Sequence, residues 1–204
     1  MKVVGDSFVS VLIGDWNKLY IQPDWVAQNI FENSDMEIGI EGRGSDVYIS
    51  YQWGNVIINA TQDKLIFSTS NLELSTLENL VKCMRNYLDK AVSPVISAYG
   101  MNVDYIESED TKFAELFDNI SDARAYIDLS YEVKSSEISR TLIKDGNIIK
   151  VKCEVDGSYT KIHFNEHYDS PNKSEICCSV DQITSFIKRT KEIVEKLGYD
   201  CIED

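Results

Sequence analysis

The 204-residue sequence has only two histidines, three prolines and twenty lysine and arginine residues. Any catalytic or zinc site built on histidine must therefore use His163 or His167. Because there are 34 acidic residues, the formal net charge is −14, and a surface of this balance repels the phosphate backbone of nucleic acids. Direct nucleic-acid binding is disfavoured. The remaining explanations of the acidity are a small ligand, a basic protein partner, mimicry of nucleic-acid charge, or simple solubility.

The sequence also lacks a long apolar run and a paired cysteine motif. No stretch approaches the 18 apolar residues of a membrane-spanning helix, and Asp6 interrupts the apolar start of the chain, which therefore predicts a strand and not a signal peptide. The five cysteines are an odd number without C-x-x-C spacing, a pattern typical of free thiols. These absences favour a cytoplasmic protein that does not contact a membrane.

Two stretches of alternating polar and apolar residues predict antiparallel meanders. In the first half, the predicted strands cover residues 45–53, 55–61 and 64–70. The turns are predicted at Gly54-Asn55 and at the Asp-Gly dipeptides of 145–146 and 156–157, because a type I′ hairpin turn needs positive φ at both central residues. Each half of the chain thus contains a meander of short strands.

An amphipathic helix follows each meander. Ser75-x-x-Glu78 predicts a capping box at the start of the first helix, which runs to about residue 92, and Ser179-x-x-Gln182 predicts a capping box for the second. The two boxes occupy equivalent places in the two halves, which indicates an internal repeat.

The two halves also begin alike, with a strand, a helix and a further strand. The predicted strands lie near 8–14 and 96–107, the helices at 23–32 and 111–120, and the further strands at 36–41 and 127–133. The sequence therefore predicts an α+β fold, a tandem duplication of a β-α-β-β-β-β-α unit over residues 1–92 and 93–204. We expect one continuous globular domain with a curved, mainly antiparallel sheet and helices packed on one face.

This order of elements resembles the saddle of the TATA-box-binding protein, which is a tandem β-α-β4-α duplication. The resemblance is one of topology and does not carry function with it. A DNA-binding saddle has a basic surface, whereas the solvent-exposed face of the sheet predicted here is mixed in charge. The residues predicted on it are Glu37, Glu41, Asp104, Asp128, Glu132, Lys150, Lys152 and Lys161.

A second resemblance is local and covers "SPVISAYGMNVDYI", residues 93–106. This segment resembles the pI-x-A-x-G-x-N-x-x-Y segment of a sporadically distributed family of bacterial proteins without an assigned activity. The matching residues are Pro94, Ile96, Ala98, Gly100, Asn102 and Tyr105. The resemblance implies a prokaryotic, cytoplasmic origin. Within a strand, Gly100 and Asn102 predict a bulge or a close backbone approach, which we prefer to a ligand-binding role.

Both histidines lie in one H-x-x-E-H pentapeptide, the spacing of an inverted zincin motif. That motif needs a helix, on which positions i and i+4 lie about 6 Å apart. The alternating sequence after the Asp-Gly dipeptide predicts a strand instead, which separates His163 from His167 by roughly 13 Å and turns Glu166 to the opposite face. A single zinc ion, with bonds of about 2 Å, could not join the two histidines.

No catalytic, cofactor-binding or metal-binding residue is therefore predicted, and no cofactor is expected. The leading hypothesis is a non-enzymatic protein-binding module of a prokaryote or its phage, an adaptor, inhibitor or immunity-like protein with a basic partner. One alternative is a decoy that mimics nucleic-acid charge. Another is a hydrolase with a carboxylate site, or with a metal site that a sharp bend of the chain assembles from His163, His167, Cys177 and Cys178.

Overall fold

Ten strands form one curved, mainly antiparallel sheet in the α+β fold of this protein. The computed structural model describes residues 1–4, 8–15, 21–33, 35–43, 46–61, 63–91, 95–108, 121–144, 146–156, 159–169 and 171–201. The strands are β1 (Lys2–Val3), β2 (Phe8–Asp15), β3 (Glu37–Arg43), β4 (Asp46–Trp53), β5 (Val56–Ala60), β6 (Lys64–Thr69), β7 (Val95–Ser108), β8 (Ser135–Lys144), β9 (Asn147–Asp156) and β10 (Tyr159–Asp169).

In the described part of the chain, five helical segments accompany the sheet. They are α1 (Pro23–Val26, continued as a π-helix over Ala27–Phe31), α2 (Leu74–Lys90), α3 (Ser121–Asp128), α4 (Lys173–Asp181) and α5 (Ile183–Lys196). The end of the π-helix is fixed by α2, because Asn86 Nδ2 and Lys90 Nζ donate hydrogen bonds to backbone carbonyls of the π-helix. These bonds satisfy acceptors that a helix end leaves unpaired.

The two halves of the chain meet at the centre of the sheet, in the order β3-β4-β5-β6-β2-β7-β10-β9-β8, with β1 also paired to β7. On either side of the β2–β7 pair the order is mirrored: β6 lies beside β2 as β10 lies beside β7, followed by β5 and β9, then by β4 and β8. Among the described strands, β3 has no counterpart beyond β8. Mirrored order alone does not establish a duplication, which stays a prediction.

The helices and one face of the sheet enclose the core. Phe8 of β2, Met101 of β7 and Phe164 of β10 are fully buried on this covered face, together with Leu80 of α2 and Phe186 of α5. The other face carries the alternate residues of the same strands, which are half-buried, and is here called the open face. Asp104, Lys150, Lys152 and Lys161 lie there, as the alternation predicted.

Both predicted capping boxes are wrong. Helix α2 begins at Leu74, one residue before Ser75, and no side chain caps it. Ser179 lies inside the last turn of α4, where its Oγ donates to a backbone carbonyl. The capping box of this region is Asn172 with Glu175 at the start of α4. Asparagine caps a helix as well as serine does, so the spacing Asn172-x-x-Glu175 carries the same signal as Ser-x-x-Glu.

The strand predicted over residues 127–133 is also wrong in this structure. Helix α3 includes the first two of these residues, and Ser130, at φ 65°, ends it in the left-handed region. The amides of Ser130 and Tyr131 bond back to the carbonyls of Ile127 and Tyr126, the pairing of a Schellman motif. The helix predicted over 111–120 lies outside the described residues.

Strand β7 has a β-bulge at Ser97, three residues before Gly100, where the sequence predicted it. Gly100 and Asn102 are in continuous register with both β2 and β10. The register of β2 against β7 shifts between Ile13 and Gly14, opposite Ser97. At Gly14 a Cβ atom would lie only 2.0 Å from a backbone oxygen of β7, so the close approach that was predicted for Gly100 occurs at Gly14 instead.

Candidate functional site

The H-x-x-E-H pentapeptide lies within β10, and the strand geometry predicted for it is confirmed. His163 and His167 project from the open face, whereas Glu166 is buried on the covered face with 1% of its surface exposed. Each histidine has its own carboxylate partner: His163 Nδ1 lies 2.6 Å from Asp104 Oδ1, and His167 Nε2 lies 2.8 Å from Asp169 Oδ1. The two histidines therefore belong to two separate pairs.

The cysteines of the alternative metal site lie in α4. The same helix places Ile176 and Val180 in the core behind the covered face, whereas the histidines are on the open face. Burial raises the pKa of Cys177, which disfavours the thiolate that binds metals. Within the described ranges, no group of three or more His, Cys, Asp or Glu residues lies close enough to hold a metal ion.

The closest approach to a catalytic arrangement is the cluster around Asp104 on the open face. Lys161 Nζ lies 3.0 Å from Asp104 Oδ2, and His163 contacts the other carboxylate oxygen. Burial by itself would raise the pKa of Asp104, but the hydrogen bonds from His163 and Lys161 outweigh burial and hold this pKa below its ordinary value. The cluster thus contains an anionic carboxylate that orients an imidazole.

Such a carboxylate and imidazole can orient a base and hold a proton, but hydrolysis through a covalent intermediate also needs a nucleophile within reach. The open-face neighbours of His163 on its own strand and on the adjoining strands are Asp104, Lys152, Lys161 and Asn165. None of these carries a hydroxyl or a thiol. Lys152 is itself engaged, at 2.8 Å, by Glu137.

A polar network surrounds Glu166 under the covered face. Arg189 Nη2 of α5 lies 2.9 Å from Glu166 Oε2, and the Tyr168 hydroxyl donates to Oε1. Tyr168 stacks on Tyr99, whose hydroxyl accepts a 3.1 Å hydrogen bond from Ser10. Burial, together with the bond to Glu166, raises the pKa of Tyr168 to about 12, so this phenol remains a donor at neutral pH. The network fixes α5 to the sheet.

A cleft of about 590 Å³ opens where β10 ends and α4 begins. Its wall includes Tyr168, Asp169, Cys178 and the capping pair Asn172 and Glu175. The capping pair uses its side chains on each other's backbone amides. Two of the polar side chains in the wall are therefore engaged by the helix cap.

Exposed apolar side chains are concentrated in the stretch of chain that includes the end of α3, β8 and the β8–β9 turn. Of the thirteen large apolar side chains that are exposed among the described residues, eight fall within 23 consecutive positions. They are Tyr126, Ile127, Leu129, Tyr131, Val133, Leu142, Ile143 and Ile148. Together with the outer side of β8, these residues are here called the β8 edge surface. Sequence reasoning missed it, because the predicted strand over 127–133 placed half of these residues in a core.

No protein-family model matches this chain, and no curated protein sequence is significantly similar to it. In the part of the chain that the structure describes, no helix is both long enough and apolar enough to cross a membrane.

Proposed function

We propose that this chain is a protein-binding module whose partner docks on the β8 edge surface. The supporting observation is the concentration of exposed apolar residues there, with Leu129 70% and Ile143 73% exposed. Ile143 and Ile148 are directly opposed across the β8–β9 pair, and adjoining exposed apolar side chains are typical of protein–protein contact sites. The module would act as an adaptor, an inhibitor or an immunity-like protein in a prokaryote or its phage, and it needs no cofactor for this role.

The mode of binding that this edge supports is strand addition. In the described sheet β8 has β9 as its one neighbour, so the backbone groups on its other side can pair with an extended segment of a partner. Such a segment would meet Ile138 and Leu142 on the covered side of β8. On the open side it would meet Ile143, which is opposed by Ile148 of β9. The partner segment should therefore carry apolar residues on its covered side and an apolar residue beside Ile143 on its open side.

The net charge of −14 adds a second requirement, because it favours a partner with basic residues around the apolar contact. The alternatives are less well supported. A nucleic-acid mimic needs rows of free carboxylates, whereas Asp104 and Glu137 on the open face are paired with Lys161 and Lys152. A hydrolase at His163 would need a nucleophile, and the neighbouring open-face residues that the structure describes carry no hydroxyl or thiol. We further propose that the chain is two copies of one β-α-β-β-β-β-α unit, which the mirrored strand order supports.

The test is affinity capture from lysate of the native host with paired variants. Ile143→Asp with Ile148→Asp places charge in the β8 edge surface at exposed positions, so the fold should survive. Leu197→Asp, at an apolar residue 41% exposed on α5's C-terminal cap, is the matched control. We expect a protein captured by wild type and by Leu197→Asp to be lost with the double variant, and to weaken between 50 and 500 mM salt. Equal capture by all three forms would contradict the proposed surface.

A further inference from the structure

We infer that residues 127–133 have a second conformation, a strand that pairs antiparallel with β8 along its outer edge. The segment would thereby regulate access of a partner to that edge. This regulatory role rests on the proposed function, whereas the strand itself does not. Three observations carry the inference.

The first observation is a position at the edge of the sheet that none of the described strands fills. On the side of the first half, β4 is followed outward by β3, in continuous register from Arg43 opposite Asp46 to Glu37 opposite Gln52. Strand β8 occupies the mirrored position of β4, and the described strands place nothing beyond it. A strand added there would complete the mirrored order.

The second observation is that the segment has the connection and the pattern that this position requires. Strands β3 and β4 are separated by two residues, and the 127–133 segment directly precedes Lys134 and the start of β8. A two-residue hairpin loop would place position 133 opposite 136, 131 opposite 138, 129 opposite 140 and 127 opposite 142. The even-numbered residues of β8 share their face with Cys153 and Ile149 on β9, which is the covered face. All four apolar residues of the segment would therefore turn to that face.

The polar residues of the segment would turn to the open face in the same register. Asp128, Ser130 and Glu132 alternate with the apolar positions and would lie opposite Thr141, Ser139 and Glu137. The one like-charge pair, Glu132 with Glu137, has Lys152 beside it, since Lys152 Nζ lies 2.8 Å from Glu137. The strand conformation thus separates apolar and polar side chains onto the two faces, as the rest of the second meander does.

The third observation is that the helical conformation leaves this segment unfavourably placed. Leu129 and Tyr131 are 70% and 68% exposed, and Ser130 ends α3 with φ 65°, a region that favours glycine. Docking on β8 would require the last two residues of α3 to unwind. It would relieve the left-handed serine and remove the apolar side chains from water.

A partner strand and the 127–133 segment would compete for one edge. The affinity that a partner shows is then reduced by the fraction of molecules in which the edge is free. In the strand conformation the occupant of the edge is this segment of the same chain, which a partner must displace.

The test uses Ser130→Cys with Ser139→Cys, two small polar positions that face each other only in the strand conformation. After mild oxidation of purified protein, peptide mapping should show the 130–139 disulfide within one chain. Ser130→Cys with Ser136→Cys is the control, because position 136 lies on the other face of β8, and it should show at least tenfold less cross-link. A 139–139 disulfide between two chains would show that a second copy occupies the edge and would overturn the inference, as would equal yields from both pairs.

A second measurement needs no cysteine. Ser130→Gly stabilises the left-handed end of α3, so amide hydrogen exchange in β8 should become several-fold faster than in wild type; an unchanged rate would count against the strand. Neither measurement involves a partner, so their failure is distinct from failure of the proposed function. Partner capture by the oxidised 130–139 variant tests the regulatory role: capture at the level of the reduced protein would overturn that role.

Discussion

Removing the cation of the buried Glu166–Arg189 pair should cost far more stability than removing the cation of the exposed Arg85–Asp181 pair. Glu166 has 2% of its side chain exposed, whereas the side chains of Arg85 and Asp181 are 42% and 45% exposed. Arg189→Met leaves the carboxylate buried without a cation, which typically costs 3–5 kcal/mol. Because the Arg189 side chain is 25% exposed, water reaches its end of the pair, and we expect the lower value, about 3 kcal/mol. Arg85→Met should cost less than about 1 kcal/mol.

Urea unfolding followed by circular dichroism at pH 7 measures both costs. A loss of about 3 kcal/mol corresponds to a melting temperature lower by roughly 6–12 °C for a chain of this size. Replacing both partners, Glu166→Met with Arg189→Met, should return stability to within about 1 kcal/mol of wild type. Equal losses for Arg189→Met and Arg85→Met would refute the reasoning.

Three further predictions concern single residues. Asn172→Ala should lower the free energy of unfolding by about 1 kcal/mol through loss of the α4 cap, and Ser75→Ala, measured in the same urea series, should change it by less than about 0.5 kcal/mol. Gly14→Ala should cost more than about 2 kcal/mol because of the backbone overlap, whereas Gly100→Ala, whose Cβ would lie 3.5 Å from its nearest neighbour, should be neutral in a thermal melt. The pKa of Asp104 is held below its ordinary value, so this carboxylate stabilises the fold above its unfolded-state pKa and the contribution is lost as pH falls through the folded-state pKa. Asp104→Asn should therefore cost about 1 kcal/mol at pH 7 and progressively less toward pH 3; a cost that grows in acid would contradict the assigned contacts.

The features that follow from local periodicity could be predicted from the sequence. The alternation of a strand has a period of two and depends on neighbouring residues alone, so the open-face positions of Asp104 and Lys161 and the opposed position of Glu166 were predicted correctly. The rejection of the helical zinc motif depended on the same periodicity. These conclusions needed no knowledge of strand order.

The features that depend on register or on competing local structures could not be predicted. His163 and Asp104 are 59 residues apart in sequence, and only the pairing of β10 with β7 brings them together. The pattern Ser-x-x-Glu at Ser75 also occurs inside a helix that begins one residue earlier. Over residues 127–133, the alternating pattern favours a strand, whereas the helix that precedes the segment favours continued helix. The sequence alone does not show which conformation the segment adopts.

The central β2–β7 pair also has a consequence for the order of folding. The hairpins of each meander join strands that are adjacent in sequence, whereas pairing Val9 with Asn102 closes a loop of about ninety residues. The hairpins are therefore expected to form early, and the pairing of β2 with β7, here called the seam, is expected to form late and slowly. Substitutions in the seam, such as Val11→Ala, should slow refolding, whereas substitutions in the outer hairpins should mainly speed unfolding.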